Sequence, residues 1–224
     1  MNFAFTTAGA FAALAMLGAV SAASATTITE TASTGALQVT DFTDSLSLAG
    51  FNASLGTLTG VSFTLSANST FNGSLQNSAA TAEDFVFSED INVTANSAGA
   101  SALNSLTTDL IASQTYSNLA SGASAAFGPY SPSRIASGSA TVSQISEFIG
   151  GNISLAIATL TGTSFAGGGG NIKNNVTTFA DATLTVVYTY TPKVVGVPEP
   201  ASMALLGLGL VGLGFVRTRS SKAV

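Results

Sequence analysis

Cysteine, histidine and tryptophan are all absent from this 224-residue chain, and each absence removes a kind of chemistry. Without cysteine there are no disulfides and no thiolate metal site, so an exported chain of this composition needs no oxidative folding. Without histidine the commonest general base and the commonest metal ligand are gone together. A Ser-His-Asp triad is therefore impossible despite abundant serine, and no Ser-x-x-Lys pattern stands in for it. The missing tryptophan removes the largest ring for stacking on a sugar.

Charge is also scarce. Charged residues make up 8% of the chain, against about 25% in an average soluble protein, so Ser, Thr, Asn and Gly supply most of the hydration. Between Thr26 and Val197 ten acidic residues face three basic ones, Arg134, Lys173 and Lys193, a balance of −7. A surface of that sign repels nucleic acid and anionic lipid, and neither is expected as a partner.

What is present concentrates at the two ends. Residues 3–25 are apolar and alanine-rich, centred on Phe11, Leu14, Met16, Leu17 and Val20. Small residues follow, and Ala23-Ser24-Ala25 fits an A-x-A cleavage site before Thr26, with Val20-Ser21-Ala22 as a second option. Residues 1–25 thus read as a signal peptide, although the opening Met1-Asn2-Phe3 carries no Lys or Arg. The competing reading is a retained anchor helix.

At the other end, residues 193–200 form a linker that closes on Val197-Pro198-Glu199-Pro200. A run without charge follows from Ala201 to Val216, then a tail over 217–224 with Arg217, Arg219 and Lys222. Sixteen residues at the helical rise span about 24 Å, just short of a hydrocarbon core of about 30 Å. The bases hold the C-terminus in the cytoplasm by the positive-inside rule. The prolines cannot enter a helix interior, which keeps Glu199 in an extended stretch outside the bilayer. Gly207, Gly209, Gly212 and Gly214 weaken the helix without forming a G-x-x-x-G dimer face, because positions 211 and 213 are Val and Leu.

The order Pro-Glu-Pro, short apolar helix, basic tail resembles the PEP-CTERM sorting signal of Gram-negative bacteria. That resemblance implies an exosortase-type enzyme as partner, processing near the Pro-Glu-Pro motif, and a transient inner-membrane anchor. The alternative is an ordinary C-terminal anchor helix. Both readings place residues 26–192 outside the cytoplasm.

Those residues show period-two alternation in short runs. Val61, Phe63 and Leu65 share one face; Phe85 and Phe87 do so, with Ile91 and Val93 resuming after Ser88-Glu89-Asp90; Ile153, Leu155 and Ile157 repeat it; Leu184, Val186, Tyr188 and Tyr190 form the cleanest strand. Asn72-Gly73, Gly150-Gly151-Asn152 and the glycine run 167–170 read as turns, the last as a flexible hairpin tip. Leu103, Leu106, Leu110 and Ile111 have helical spacing, and residues 97–139 read as a long insertion or loop. The expectation is an all-β chain: an antiparallel β-sandwich with a cleaved N-terminal signal helix and a single C-terminal transmembrane helix.

The phrase FNASLGTLTGVSFTL at 51–65, with the strand Thr185-Val186-Val187-Tyr188-Thr189-Tyr190 just before the anchor, is similar to the choice-of-anchor E domain. The likeness implies an exported module joined to alternative anchors, with no activity attached.

Candidate chemistry is thin. Glu83-Asp84 and Glu89-Asp90 flank a Phe-Val-Phe run, and Asp41, Asp44, Asp109, Glu147 and Asp181 are scattered. Two carboxylates can run a glycosidase and several can bind calcium, but no D-x-[DN]-x-[DN]-G loop exists, and acids at strand ends ordinarily serve solubility. The glycine run at 167–170 lacks the Lys-Ser/Thr of a phosphate loop. No catalytic residue, cofactor or metal is expected. The reading is a structural or interaction protein of the cell surface or extracellular polysaccharide matrix. The alternative is a carbohydrate-binding module using Tyr116, Tyr130, Tyr188 and Tyr190, with a carboxylate hydrolase ranked lower.

Overall fold

Strict alternation builds both sheets. In β5 (Glu83–Asn96) Phe85, Phe87, Glu89, Ile91, Val93 and Ala95 are buried while the residues between them face outward. β4 (Gly56–Asn77) and β10 (Ile172–Pro192) repeat the pattern over 22 and 21 residues. A strand whose side chains alternate apolar and hydroxylated can bury only one face, so it requires a second layer.

The computed structural model describes residues 24–193 and 207–210. The remaining strands are β1 (Thr26–Ser33), β2 (Gln38–Val39), β3 (Thr43–Ala49), β6 (Thr107–Leu119), β7 (Ser124–Tyr130), β8 (Ser133–Ser139) and β9 (Asn152–Gly167). They form two sheets with antiparallel ladders. One follows the order β1-β10-β4-β7, with β2 on β10 and β8 on β4; the other runs β3-β9-β5-β6. The inner faces share one apolar cluster that includes Leu65, Phe71, Phe127 and Val186 from the first sheet and Phe87, Ile91, Leu110 and Ile157 from the second. The arrangement is consistent with a β-sandwich.

Phe87 of β5 meets Phe127 of β7 edge-to-face across the layers, with ring centroids 4.6 Å apart. Three tyrosine hydroxyls also cross between the sheets. Tyr116 on β6 donates to the Ala126 carbonyl on β7 at 2.8 Å, and Tyr130 on β7 donates to Gln114 Oε1 on β6 at 2.6 Å. Tyr188 on β10 donates to the Ala49 carbonyl at the end of β3 at 2.9 Å. Each ring fills core volume while its hydroxyl satisfies an acceptor on the opposite layer.

Four expectations need correction. Asn72-Gly73 is no turn: both residues lie inside β4, and Gly73 is needed because a Cβ there would sit 2.2 Å from the Asn175 carbonyl oxygen on β10. The glycine run at 167–170 is no hairpin tip, since it carries the chain from β9 in one sheet to β10 in the other. All four of its glycines have positive φ, which side-chain-bearing residues resist. Residues 97–139 are not a loop but hold the whole of β6, β7 and β8. The helical spacing around Leu103 yields only a 3-10 turn, Ser101–Ser105, and Leu110 and Ile111 belong to β6. There β pairing overrides local spacing: Leu110 is buried while Ile111 is 55% exposed.

Candidate functional site

The two ends of the domain lie side by side. β1 pairs with the last part of β10, placing Thr26 opposite Tyr190. Thr26 opens the first strand directly after exposed Ala25, the pair marked in the sequence as the signal cleavage position. β10 ends at Pro192, and the Lys193 N–H donates to the Leu55 carbonyl at 3.0 Å. The chain therefore leaves towards its C-terminal tag from the same end at which the domain begins. Phe51 buttresses that end, its ring centroid 5.1 Å from Tyr190 and 6.0 Å from Tyr188. A cavity of about 200 Å³ lies beside them, lined by Ile28, Glu30, Phe51, Asn52, Leu55 and Tyr188 among others.

The sorting residues Val197, Pro198, Glu199 and Pro200 lie outside the described residues, as do Arg217, Arg219, Lys222 and the signal segment before Ser24. Of the expected span at 201–216, residues 207–210 are described; they are helical, with Leu208 and Leu210 exposed. Among the described residues no helix is long and apolar enough to cross a membrane.

The acidic residues do not converge. Glu83-Asp84 stand at the start of β5 and Glu89-Asp90 lie in its middle, about 20 Å further along at the strand rise. They bracket nothing that a turn closes, because Ser88-Glu89-Asp90 continues the strand. Most of the acids instead accept hydrogen bonds that fix loops and faces. Asp41 Oδ1 takes the Thr161 N–H at 2.7 Å, and Asp84 Oδ1 takes the Asn118 N–H at 2.6 Å. Asp109 and Asp181 accept from Asn92 at 2.6 Å and Asn68 at 2.9 Å. Glu147 holds Ser101 through its N–H at 2.6 Å and its hydroxyl at 2.9 Å. No group of three or more acids able to hold a metal occurs among the described residues.

Glu89 is the exception that sequence reasoning missed. It is 4% exposed and points inward with Phe87 and Ile91. Desolvation raises its pKa above the usual carboxylate value, opposed by a hydrogen bond from the Thr163 hydroxyl at 3.0 Å and reinforced by the nearby charges of Asp90 and Asp41. The signal was present, since Glu89 keeps the odd-numbered parity of Phe85, Phe87, Ile91 and Val93.

Two of the four candidate stacking tyrosines cannot meet a sugar. Tyr188 is 1% and Tyr116 6% exposed, and both hydroxyls are committed across the sandwich. Tyr130 and Tyr190 are half-buried. An open depression of about 500 Å³ is lined by Asn96, Glu147, Gly150, Gly151, Asn152 and Ser154 among others. Its one carboxylate, Glu147, is the group already holding Ser101, so the depression lacks the paired acids of a glycosidase.

With the exit geometry in place, the family comparison decides the C-terminal segment: residues 196–219 match the PEP-CTERM protein-sorting motif. The chain carries a PEP-CTERM signal. The match takes in the Val197–Pro200 motif, the apolar run, Arg217 and Arg219, and it implies an exported, exosortase-sorted protein whose precursor is anchored in the membrane by its C-terminus. No curated protein matches the sequence. Among solved structures, the chain has some likeness to the T13 viral particle of IBDV, at 12% identity and a TM-score of 0.14, covering 84% of this chain and 46% of that one. A second is the Gx strain of infectious bursal disease virus, at 9% identity and a TM-score of 0.16, covering 78% and 38%. The chain spans less than half the length of either, and likeness at this level carries no argument about the PEP-CTERM chain.

Proposed function

We propose that this chain is a non-catalytic structural or interaction protein of the cell surface or extracellular polysaccharide matrix of a Gram-negative bacterium. It is delivered there through a transient inner-membrane anchor that an exosortase-type enzyme cuts near Pro198-Glu199-Pro200. The observation that carries this reading is the PEP-CTERM match at residues 196–219, which begins four residues beyond the end of β10 at Pro192. The linker of residues 193–200 spans at most about 29 Å when extended, so the folded domain is held near the bilayer until the cut frees it.

In this reading the signal cleavage between Ala25 and Thr26 and the C-terminal cut fall at one end of the sandwich, because Thr26 and Tyr190 are paired. A single membrane-facing end then meets both processing enzymes in turn. The choice-of-anchor E likeness of residues 27–192 fits a module of this kind: an exported domain that stands ahead of an interchangeable anchor. The sparse charge and the Thr, Ser and Asn side chains on the outer faces suit contact with hydrated neutral polymer. The carbohydrate-binding alternative is weaker, having lost Tyr116 and Tyr188 to the core.

The test is mass spectrometry of the mature protein from its native host. The expected N-terminus is Thr26, and the expected last peptide ends near Pro198–Pro200. Intact peptides running through 197–222 in the mature protein would remove the sorting role.

A further inference from the structure

The strand β9 outruns its neighbour. β3 pairs with β9 only as far as Thr43 opposite Ala158, whereas β9 continues to Gly167 with β5 on its other side. The chain before β3 covers the next two positions: the Thr159 N–H donates to the Phe42 carbonyl at 3.0 Å, and the Thr161 N–H to Asp41 Oδ1 at 2.7 Å. Hydrogen-bonding direction alternates along a strand, so Thr163 and Phe165 point their N–H and C=O groups the same way as Thr159 and Thr161, away from β5. Among the described residues nothing accepts from either N–H. Residues 163–166 are exposed.

Such an edge is ordinarily blunted by Lys, Pro, an inward charge or a covering loop. Between Leu160 and Gly170 this chain has no charged residue and no proline. It has an aromatic instead: Phe165 is 41% exposed and leans on Phe87, with centroids 5.0 Å apart.

We propose that the 163–166 edge of β9 is a dimerisation surface that pairs antiparallel with the same edge of a second copy, about a two-fold axis through Ser164. Three observations select this partner and register. Asp41 already occupies the Thr161 N–H, which leaves two free donors, Thr163 and Phe165. An antiparallel pair centred on Ser164 sets Thr163 opposite Phe165 of the second copy, so the two donors on each side meet the two acceptors on the other and four main-chain hydrogen bonds close.

The same register sets Gly167, the last residue of the second copy's strand, opposite Thr161, where the Asp41 cover begins; the incoming strand ends where the slot ends. Finally, the facing side chains are compatible. Phe165 meets Thr163 on the inner face, an aromatic and β-branched pair, and Ser164 meets Ser164 on the outer face. The two Glu89 carboxylates, one strand further in on each side, stay about 15 Å apart by strand spacing, beyond a Debye length of about 8 Å at physiological salt.

The absence of native cysteine makes the test direct. At a non-hydrogen-bonded antiparallel position the Cα atoms lie about 4.5 Å apart, within the range a disulfide spans. Mature Ser164→Cys protein under mild oxidation should give roughly tenfold more disulfide-linked dimer than Ser133→Cys, an exposed position on β8 in the other sheet. Sedimentation of the wild type should show a monomer–dimer equilibrium. Thr163→Pro should abolish it, because that N–H has no partner within the fold. The change also removes the hydroxyl that donates to Glu89, so Thr163→Val, which loses the hydroxyl but keeps the N–H, is the control. It should match the proline variant's loss of stability while still forming the dimer. A wild type that stays monomeric to its solubility limit overturns the proposal. So does a dimer that Thr163→Pro leaves intact, or cross-linking at Ser164 no greater than at Ser133.

Discussion

Tyr188 on β10 donates its hydroxyl hydrogen to the Ala49 carbonyl at the end of β3, 2.9 Å away on the opposite sheet. The ring is 1% exposed and lies against Phe51 and Phe148. Tyr188→Phe keeps the ring and takes that donor from the Ala49 carbonyl, at a cost of about 0.5–1.5 kcal/mol. Urea unfolding should show the midpoint falling with an unchanged slope.

The same burial predicts an alkaline transition. Desolvation pushes the hydroxyls of Tyr116 and Tyr188 up to about 12 from 10, with smaller contributions from Tyr130 and Glu30 respectively. Because the folded-state values lie above the unfolded ones, the stability these groups confer is complete below pH 10 and is lost as pH rises from 10 towards 12. Ultraviolet titration should show two tyrosines ionising late and together with loss of tertiary structure. Four tyrosines titrating as one near 10, with the fold intact, contradicts this.

Gly73 is the tightest test of strand crowding. An alanine methyl there must enter the space held by the Asn175 carbonyl oxygen, 2.2 Å away, and the Val176 Cα, 2.5 Å away. Backbone cannot yield as a side-chain tip does, so Gly73→Ala should cost at least about 3 kcal/mol. Gly99→Ala, with nothing within 4 Å of the added carbon, should be close to neutral. Thermal melts of the two variants make the comparison.

How much of this was legible in the sequence depends on the range over which each constraint acts. The core strands read directly, because the alternation of Phe63 with Leu65 or of Leu184 with Val186 is local and periodic. Asn72-Gly73 misled because turn chemistry and close approach of strands both require glycine, and only the pairing of β4 with β10 tells them apart. β6 and β8 were obscured by small residues: few of their side chains are buried, so the period-two signal is faint. Ser88-Glu89-Asp90 looked like a break because its polarity was given more weight than its parity. As for the site, the Pro-Glu-Pro segment was fully legible, because a sorting signal is read as linear sequence. The joining of the domain's two ends was not, because it depends on which strand lies beside β1.

Glu89 offers a prediction of opposite sign to the usual carboxylate. Its folded-state pKa lies above the unfolded value near 4.5, so what it contributes to stability is present at low pH and is lost as pH rises through the folded value. At neutral pH its charge is a burden on the core. Glu89→Gln retains an oxygen to accept from the Thr163 hydroxyl and removes the charge. The variant should melt above wild type at pH 7, with the difference shrinking towards pH 4. A lower melting temperature at pH 7 would mean that the carboxylate is held by more than Thr163.

The sorting reading makes its own demand on the two prolines. A proline lacks the N–H and the conformational freedom to sit within a helix, so Pro198 and Pro200 stop an apolar helix from growing backwards over Glu199. Replacing both with alanine, the strongest helix former, removes that stop at roughly 3 kcal/mol per position. Glu199 then joins the helix, where a processing enzyme meets it coiled rather than extended. In the native host Pro198→Ala/Pro200→Ala should accumulate as a membrane-bound precursor heavier than the mature protein by the mass of the C-terminal segment. The sandwich itself should stay folded, since its last ladder residue, Pro192, pairs with Gly56 upstream of the change. Immunoblots of membrane and extracellular fractions distinguish the outcomes: normal release of the double variant means that the motif is recognised by residue identity at Glu199 alone and that the extended backbone plays no part.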